Sequence, residues 1–212
     1  MEFDVVVLTD YRYVAPKAKD PYVANLLLED QLVVEALQRL GLQATRKSWD
    51  DPHFDWSSTK YAMFRTTWDY FDRYEEFTEW YRKTSEVTQF INSKKLIDWN
   101  IDKHYLKELQ NQGINIPNTY FAEPGAALSL KETIQKADEA FGHKCDEFVL
   151  KPCISGGARH TYKFHRKDWL QHDPVFQKLL ATESMMLQEF QHHIVDEGEI
   201  SLMVFNGEYT HG

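Results

Sequence analysis

The amino-acid sequence predicts an α/β domain followed by an α+β domain. In the first half, the apolar run Phe3 to Leu8 precedes a helical pattern, and the run Leu42 to Trp49 follows it. Strand, helix and strand within about 50 residues are typical of a βαβ unit with parallel strands. The second half has the order β-α-β-β-α-β, which predicts a sheet of its own.

The helix between the first two strands has clear start and stop signals. Asp20 precedes Pro21, as expected for an N-cap followed by proline at the first helical position. Apolar residues recur at helical spacing from Val23 to Leu40. Gly41 is therefore predicted to end the helix.

A third strand, Tyr61 to Phe64, runs into a polar and aromatic segment. In open α/β sheets, ligands bind past the carboxyl ends of the strands. Arg65, Trp68 and Asp69 lie at that position and are candidate substrate contacts. The alternative is that Arg65 and Asp69 form an ion pair that only fixes the loop after the third strand.

The first half ends with one more helix and one short strand. An aromatic stripe between Asp72 and Val87 predicts an amphipathic helix packed on the core, and Phe90 and Ile91 predict a strand. The segment 92–100 is predicted to leave the first domain. A short helix is then predicted from Ile101 to Gln112, with Lys103 near its start. The N-terminal end of a helix favours an anion, so Lys103 is a candidate anion contact. The alternative is that Lys103 is an ordinary surface lysine.

The helices of the second half are also marked by local signals. A strand is predicted from Ile116 to Glu123. Ser129 and Glu132 fit a capping box, so a helix is predicted from there to Phe141, ended by Gly142. The later elements are predicted as a helix over Asp173 to Thr182 and a strand over Met185 to Phe190.

The stretch from Phe148 to Tyr162 combines a lysine with a glycine loop. An apolar strand ends at Lys151, where the following Pro152 imposes extended geometry. The loop after it consists of small residues: Ser155, Gly156, Gly157 and Ala158. Glycines let backbone N–H groups approach an anion, and the lysine adds a point charge. The stretch therefore suits a polyphosphate, although it does not have the P-loop pattern. The alternative is a hairpin with an exposed lysine.

The end of the chain adds candidate contacts for a nucleoside. Gln188, Glu189 and Phe190 close a strand whose edge could contact an adenine, and one of Glu197 and Glu199 could accept from ribose hydroxyls. Residues 199–205 predict a strand that turns at Asn206-Gly207, a strong hairpin signal. For each glutamate, a solvated acid is the alternative.

Charge and cysteine usage limit the class of protein. The net charge of −9 and a pI of about 5.5 argue against a nucleic-acid partner, so an anionic ligand needs local cations such as Lys103, Lys151 and Arg159. Cys145 and Cys153 lack metal-site spacing and are predicted to be reduced thiols in a cytoplasmic protein. The sequence predicts no signal peptide, no membrane segment and no histidine metal site.

These motifs, in this order, resemble those of the ATP-grasp family. The segments that carry the resemblance are TDYRY, SWDDP, DWS, RTTWDYF, WNIDK, KPCISGGARHTY and GEISLMVFNG. They are similar to the branch that contains the ligase of D-cycloserine biosynthesis and glutathione-synthetase-like enzymes. The resemblance spans nearly the whole chain, but the C-terminal part of the family's pattern is missing.

The resemblance implies an assignment for each candidate residue. Lys103 and Lys151 resemble the two phosphate-binding lysines, and residues 155–158 resemble the loop that folds over the phosphates. Residues 188–190 resemble the adenine hinge, and Glu199 resembles the ribose-binding acid. ATP and Mg²⁺ are the implied cofactors, with the Mg²⁺ ligands expected in the missing C-terminal part.

The resemblance also implies a domain plan. Residues 1–100 correspond to a Rossmann-like pre-ATP-grasp domain that binds substrate, and 101–187 to the small lobe of the ATP-grasp domain. Residues 188–212 correspond to the start of an incomplete large lobe. Apolar residues there, such as Leu202 and Val204, are compatible with a homodimer.

The function predicted from this resemblance is an ATP-dependent, ADP-forming carboxylate–amine ligase, here as a fragment or truncated form. Its partners would be a small-molecule carboxylate and an amine. The first alternative is a non-catalytic nucleotide-binding or assembly module that lacks the metal-binding half. The second is a carbohydrate-binding protein or glycosidase, for which no pair of catalytic acids can be chosen from the sequence.

Overall fold

The computed structural model describes residues 1–17 and 20–212. The chain forms two compact units. The first comprises Met1–Tyr105 with Ile154–Gly157, and the second comprises Leu106–Cys153 with Ala158–Gly212.

The first unit is a parallel α/β structure, as the sequence predicts. Its strands are β1 (Phe3–Thr9), β2 (Ala44–Ser48), β3 (Thr59–Thr66) and β4 (Gln89–Ile91), and its helices are α1 (Pro21–Arg39), α2 (Tyr74–Thr84) and α3 (Lys94–Asn100). The four strands are parallel in the order β2-β1-β3-β4. The apolar run of β1 is accordingly buried in the middle of the sheet.

Local signals place α1 and α2 as predicted. The Asp20 side chain accepts from the backbone N–H of Val23 at 2.8 Å, and Gly41 adopts a left-handed conformation just after α1. On α2, Phe77 and Tyr81 are buried, and Tyr81 stacks on Phe90 of β4 with ring centroids 4.8 Å apart. The aromatic stripe therefore belongs to the core, as predicted.

A buried ionic network ties α1 to the carboxyl ends of the strands. Asp30 of α1 is fully buried and accepts from Arg46 Nε of β2 at 2.7 Å and from Thr66 Oγ1 of β3 at 2.8 Å. Arg46 also donates to Thr9 Oγ1 of β1 at 2.9 Å. These bonds pair one oxygen of a carboxylate that is costly to bury, Asp30 Oδ2. Among the described residues, Asp30 Oδ1 accepts no hydrogen bond and lies 3.6 Å from Arg65 Nε.

The second unit is an antiparallel α+β structure. After α4 (Tyr105–Asn111) its elements are β5 (Thr119–Ala122), α5 (Leu130–Phe141), β6 (Glu147–Pro152), β7 (Tyr162–His165), α6 (Trp169–Leu180), β8 (Met185–Glu189), α7 (His192–Glu197), β9 (Met203–Phe205) and β10 (Glu208–His211). One sheet has the order β5-β8-β6-β7, and β9 pairs with β10.

Helices α5 and α6 cover one face of the larger sheet. Phe148 and Leu150 of β6 are buried together with Ile134 of α5 and Phe176 of α6. The predicted capping box is present, because Ser129 and the Glu132 side chain bond each other's backbone N–H groups. The predicted fold class, α/β plus α+β, is confirmed.

The predicted helix over Ile101 to Gln112 is wrong in its first turn. The segment 92–100, predicted as a domain exit, forms α3, which Ser93 caps by accepting from Leu96 N–H. Residues 101–104 form a turn in which Asp102 accepts from His104 N–H at 3.0 Å, and α4 begins only at Tyr105. Lys103 therefore lies in the turn and not on a helix.

Two later elements also differ from the prediction. Helix α6 begins at Trp169 and not at Asp173, and it contains Pro174. Residues 192–197 form α7, and the predicted strand over 199–205 is reduced to β9. The Asn206-Gly207 hairpin is confirmed, with both residues at positive φ as a tight turn of this type requires.

No helix in residues 1–17 and 20–212 is both long and apolar enough to span a membrane.

Candidate functional site

The position of Lys151 follows from the pairing of β6 with β8. Lys151 lies opposite Met186, and Val149 lies opposite Gln188. Directly paired residues share a face of the sheet, and side chains alternate between faces along each strand. Lys151 and Gln188 therefore lie on the face that α5 and α6 do not cover.

The surroundings of Lys151 are partly desolvated. The side chain is half-buried, and burial holds the pKa of its ammonium group below the ordinary value for lysine. A partly dehydrated cation binds an anionic group more strongly than one in bulk water. Lys151 is thus the residue in the second unit best suited to a phosphate.

The three residues of the predicted hinge do not share one face. The Glu189 side chain lies on the helix-covered face, because Glu189 pairs with the buried Phe148. The backbone N–H groups of Glu189 and Phe190 donate to the carbonyl oxygens of Asn118 and Glu147, so neither is available to an adenine. Of the three side chains, Gln188 and Phe190 alone can share a face with Lys151.

Gln188 is held in place by the edge strand. It is buried, and its Nε2 donates to Thr119 Oγ1 of β5 at 2.8 Å. This bond fixes the side chain across the sheet and leaves its carbonyl oxygen on the face of Lys151.

Lys163 of β7 is a second cation on this face, and the sequence analysis missed it. It pairs with Val149 in the strand register, its Nζ lies 3.1 Å from a Glu147 carboxylate oxygen, and it sits 3.6 Å from the centre of the Phe190 ring. Side chains alternate between the two faces of the sheet along Tyr162–His165. This alternation identifies Lys163 once the face on which Lys151 lies is known.

The first part of the glycine loop, residues 155–157, is held within the first unit by two contacts. Lys103 Nζ donates to the backbone carbonyl oxygen of Ser155 at 2.6 Å. A Cβ atom added to Gly156 would lie 2.7 Å from Cε1 of Phe71, so a larger residue at this position requires the ring to move. Gly157 and Ala158 both have positive φ, which turns the backbone sharply at this point.

Glu199 lies outside the strand predicted to carry it. It is exposed, in residues 198–202 that form neither helix nor strand. In the described part of the chain, no hydrogen bond or ion pair joins its carboxylate to Lys151 or Gln188.

Among the candidates of the first unit, Arg65 lies within β3, and Trp68 and Asp69 follow the strand. In the described part of the chain, no ion pair joins Arg65 to Asp69. Arg65 is 3.6 Å from Asp30, whereas Asp69 is buried and accepts from Trp49 Nε1 at 2.7 Å and from Arg73 at 3.0 Å. Trp68 is 41% exposed. Asp69 therefore orients its neighbours, and Trp68 is the most accessible of the three predicted substrate contacts.

A cavity lies at the carboxyl ends of β3 and β4 in the first unit. Its volume is about 290 Å³, and its lining combines aromatic and isoleucine side chains with amide and hydroxyl groups, the latter from Thr67, Tyr70, Asn92 and Asn100. Past the ends of parallel strands, such a cavity is a typical ligand site.

The first unit matches a described protein family. Residues 5–92 match the family described as the N-terminal domain of the D-cycloserine synthetase DcsG. The cycloserine biosynthesis protein DcsG of Streptomyces lavendulae is 29% identical over 182 residues, which are 84% of this chain and 59% of that protein. The chain thus spans about three-fifths of the length of this curated relative.

Solved structures extend the likeness to both units. The crystal structure of D-cycloserine synthetase DcsG superposes with a TM-score of 0.84 at 24% identity, covering 98% of this chain and 66% of that one. A RimK domain protein ATP-grasp from Sphaerobacter thermophilus gives 0.57 at 16% identity, covering 89% and 64%. At these identities the likeness establishes the fold.

Proposed function

We propose that this chain is an ATP-grasp protein and that it supplies the nucleotide-binding part of an ATP-dependent, ADP-forming carboxylate–amine ligase. The observation that carries the proposal is the placement of Lys151. A half-buried lysine on the sheet face that α5 and α6 do not cover, beside Gln188 and just before a glycine loop, is suited to a nucleoside polyphosphate.

The chemistry of such a ligase explains the residues required. A carboxylate is a poor acyl donor because oxide is a poor leaving group, and ATP supplies a phosphoryl group that converts it to an acyl phosphate, which an amine then attacks. Phosphoryl transfer depends on positioning and on charge neutralisation. We assign these tasks to Lys151 and Lys103, and assign the exclusion of water to the loop at residues 155–158.

Mg²⁺ is expected to accompany ATP. The resemblance implies that its ligands lie in the part of the family's pattern that follows the hairpin. We therefore give the described residues no role in holding it.

The cavity of the first unit is the proposed binding region for the carboxylate or the amine. Asn92 and Asn100 offer both donors and acceptors, and the aromatic residues exclude water from part of the surface. This lining suits a small polar molecule and does not by itself distinguish the two substrates.

Thermal unfolding with and without MgATP tests the nucleotide part of the proposal. A ligand that binds only the folded state raises the melting temperature by mass action. We expect a rise for the wild type, its loss in Lys151→Met, and its retention in Lys178→Met, which removes an exposed lysine of α6. An equal rise in all three proteins would place the nucleotide elsewhere.

Release of ADP separates the ligase from the non-catalytic alternative. A form of the protein that also carries the expected Mg²⁺ ligands, incubated with MgATP and a panel of carboxylates and amines, should release ADP. Binding of ATP without release of ADP would favour a nucleotide-binding module.

A further inference from the structure

Three metal-ligating side chains meet at one end of the larger sheet of the second unit. His143 and Cys145 lie in the loop between α5 and β6, and Glu189 ends β8. Their ligand atoms all lie within 4.8 Å of one another. They lie on the helix-covered side of the sheet, opposite to Lys151, so the proposed nucleotide site does not use them.

The spacing of these atoms matches tetrahedral zinc. His143 Nε2 lies 3.4 Å from Cys145 Sγ and 3.2 Å from Glu189 Oε1. Zinc bonds of about 2.0–2.1 Å to nitrogen and oxygen and about 2.3 Å to sulfur, at tetrahedral angles, separate these atom pairs by roughly 3.5 Å and 3.3 Å. A single ion could therefore bond all three residues with little movement.

The remaining polar atoms of two of these residues are already held by neighbours. His143 Nδ1 lies 3.1 Å from the carbonyl oxygen of Phe141, which can only accept, so Nδ1–H donates and Nε2 faces the cluster. The second carboxylate oxygen of Glu189 accepts from Asn118 Nδ2 at 2.7 Å. Such outer contacts are typical of histidine and carboxylate ligands to metals.

The loop that carries Cys145 is fixed by its backbone. Cys145 N–H donates to Asp138 Oδ1 of α5 at 3.2 Å, and Arg166 donates to the Cys145 carbonyl oxygen at 2.7 Å. The thiol therefore has a defined position, and Cys145 is only 4% exposed. Its place in the cluster does not depend on a flexible loop.

We propose that His143, Cys145 and Glu189 bind one zinc ion, which joins the loop after α5 to the end of β8. A thiolate, an imidazole and a carboxylate form a mixed set that favours zinc over Mg²⁺ or Ca²⁺. A fourth position is left for water, because the His143 side chain is 48% exposed and a cavity of about 310 Å³ is lined by Cys145 and Glu189. The cavity also gives the ion a path of entry.

Titration with Co²⁺, followed by its absorption spectrum, tests the proposal directly. The whole chain carrying Cys153→Ser should bind one equivalent and show a thiolate-to-cobalt charge-transfer band, because Cys145 is then its only cysteine. Zn²⁺ should displace the Co²⁺ and abolish the spectrum. Cys145→Ala should lose the charge-transfer band, and His143→Gln should lower the affinity.

Two further variants separate a built site from chance binding. Asn118→Ala, which removes the contact to Glu189, should weaken binding roughly 10–100-fold while leaving the stoichiometry unchanged. Glu139→Gln, which removes an exposed acid of α5, should bind like the parent chain. Circular dichroism of each variant checks that it is folded.

A charge-transfer band that persists in Cys145→Ala would overturn the proposal, as would its absence from a folded Cys153→Ser chain. The cluster would then be an ion pair between His143 and Glu189 beside a buried thiol.

Discussion

The ammonium group of Lys103 donates a 2.6 Å hydrogen bond to the backbone carbonyl oxygen of Ser155, 52 residues along the chain. Both residues were predicted to act on phosphate, and the bond shows that they are directly connected within the first unit. Lys103 thereby helps to hold the start of the glycine loop in one conformation. A lysine that both orders this loop and carries charge has a structural role as well as the proposed electrostatic one.

We expect Lys103→Met to loosen the loop. A hydrogen bond from a charged donor contributes about 1.5–3 kcal/mol, so the equilibrium for local opening should rise roughly 10–100-fold. Amide hydrogen exchange of a peptide covering residues 154–158 measures this change. Lys107→Met, which removes an exposed lysine of α4, is the control. Equal exchange in the two variants would show that the bond does not hold the loop.

Gly156→Ala should destabilise the loop through a clash with the Phe71 ring. The new Cβ would lie 2.7 Å from Cε1, and overpacking of this kind costs about 1–3 kcal/mol. The double variant Gly156→Ala/Phe71→Ala should lose less free energy of unfolding than the two single variants lose together, because Phe71→Ala makes room for the new Cβ. Chemical denaturation of the four proteins measures this coupling, and additive effects would exclude the clash.

Signals confined to a few residues predicted the fold well. Asp20 before Pro21, the Ser129–Glu132 box and Asn206-Gly207 each act within one turn of the chain, so no knowledge of tertiary contacts is needed to interpret them. Helix α3 was missed because its signals, a serine N-cap and a weak apolar pattern, are ordinary in a loop.

The candidate site was harder to predict, because it depends on which strands become neighbours. Alternation along β8 shows that Gln188 and Glu189 point in opposite directions, but only the pairing of Met186 with Lys151 shows which of them faces the lysine. The same pairing brings Glu189 to His143 and Cys145, more than 40 residues earlier in the chain. No local spacing could reveal that cluster.

Asp30→Ala should be among the most destabilising single changes in the first unit. It leaves Arg46, whose side chain is 18% exposed, without its buried carboxylate, and loss of one partner from a buried pair costs about 3–5 kcal/mol. Urea denaturation followed by tryptophan fluorescence reports on this unit, since five of the six tryptophans lie in residues 1–105.

The neighbouring Glu29 provides the control for Asp30. Its side chain is 68% exposed, and it lies 3.6 Å from Arg65. Glu29→Ala should change the free energy of unfolding by no more than about 0.5 kcal/mol. If both variants unfold at the same urea concentration, the buried network does not stabilise the folded state as its geometry indicates.

Nucleotide binding at alkaline pH should be accompanied by proton uptake at Lys151. Burial lowers the pKa of this group in the free protein, whereas a bound phosphate favours the ammonium form and raises the pKa again. Between the two pKa values the free protein is largely neutral at Lys151 and the complex is protonated. Each binding event must then take up a proton, and affinity should fall as the pH rises through the pKa of the free protein.

Calorimetry with a non-hydrolysable ATP analogue, in buffers of different ionisation enthalpy, measures the protons taken up. Uptake should be small well below the pKa of Lys151 in the free protein and should increase as the pH rises through that pKa. Lys151→Met should remove the pH-dependent part, and Lys178→Met should retain it. Uptake that is unchanged in Lys151→Met would mean that the titrating group lies elsewhere and that phosphate does not contact this lysine.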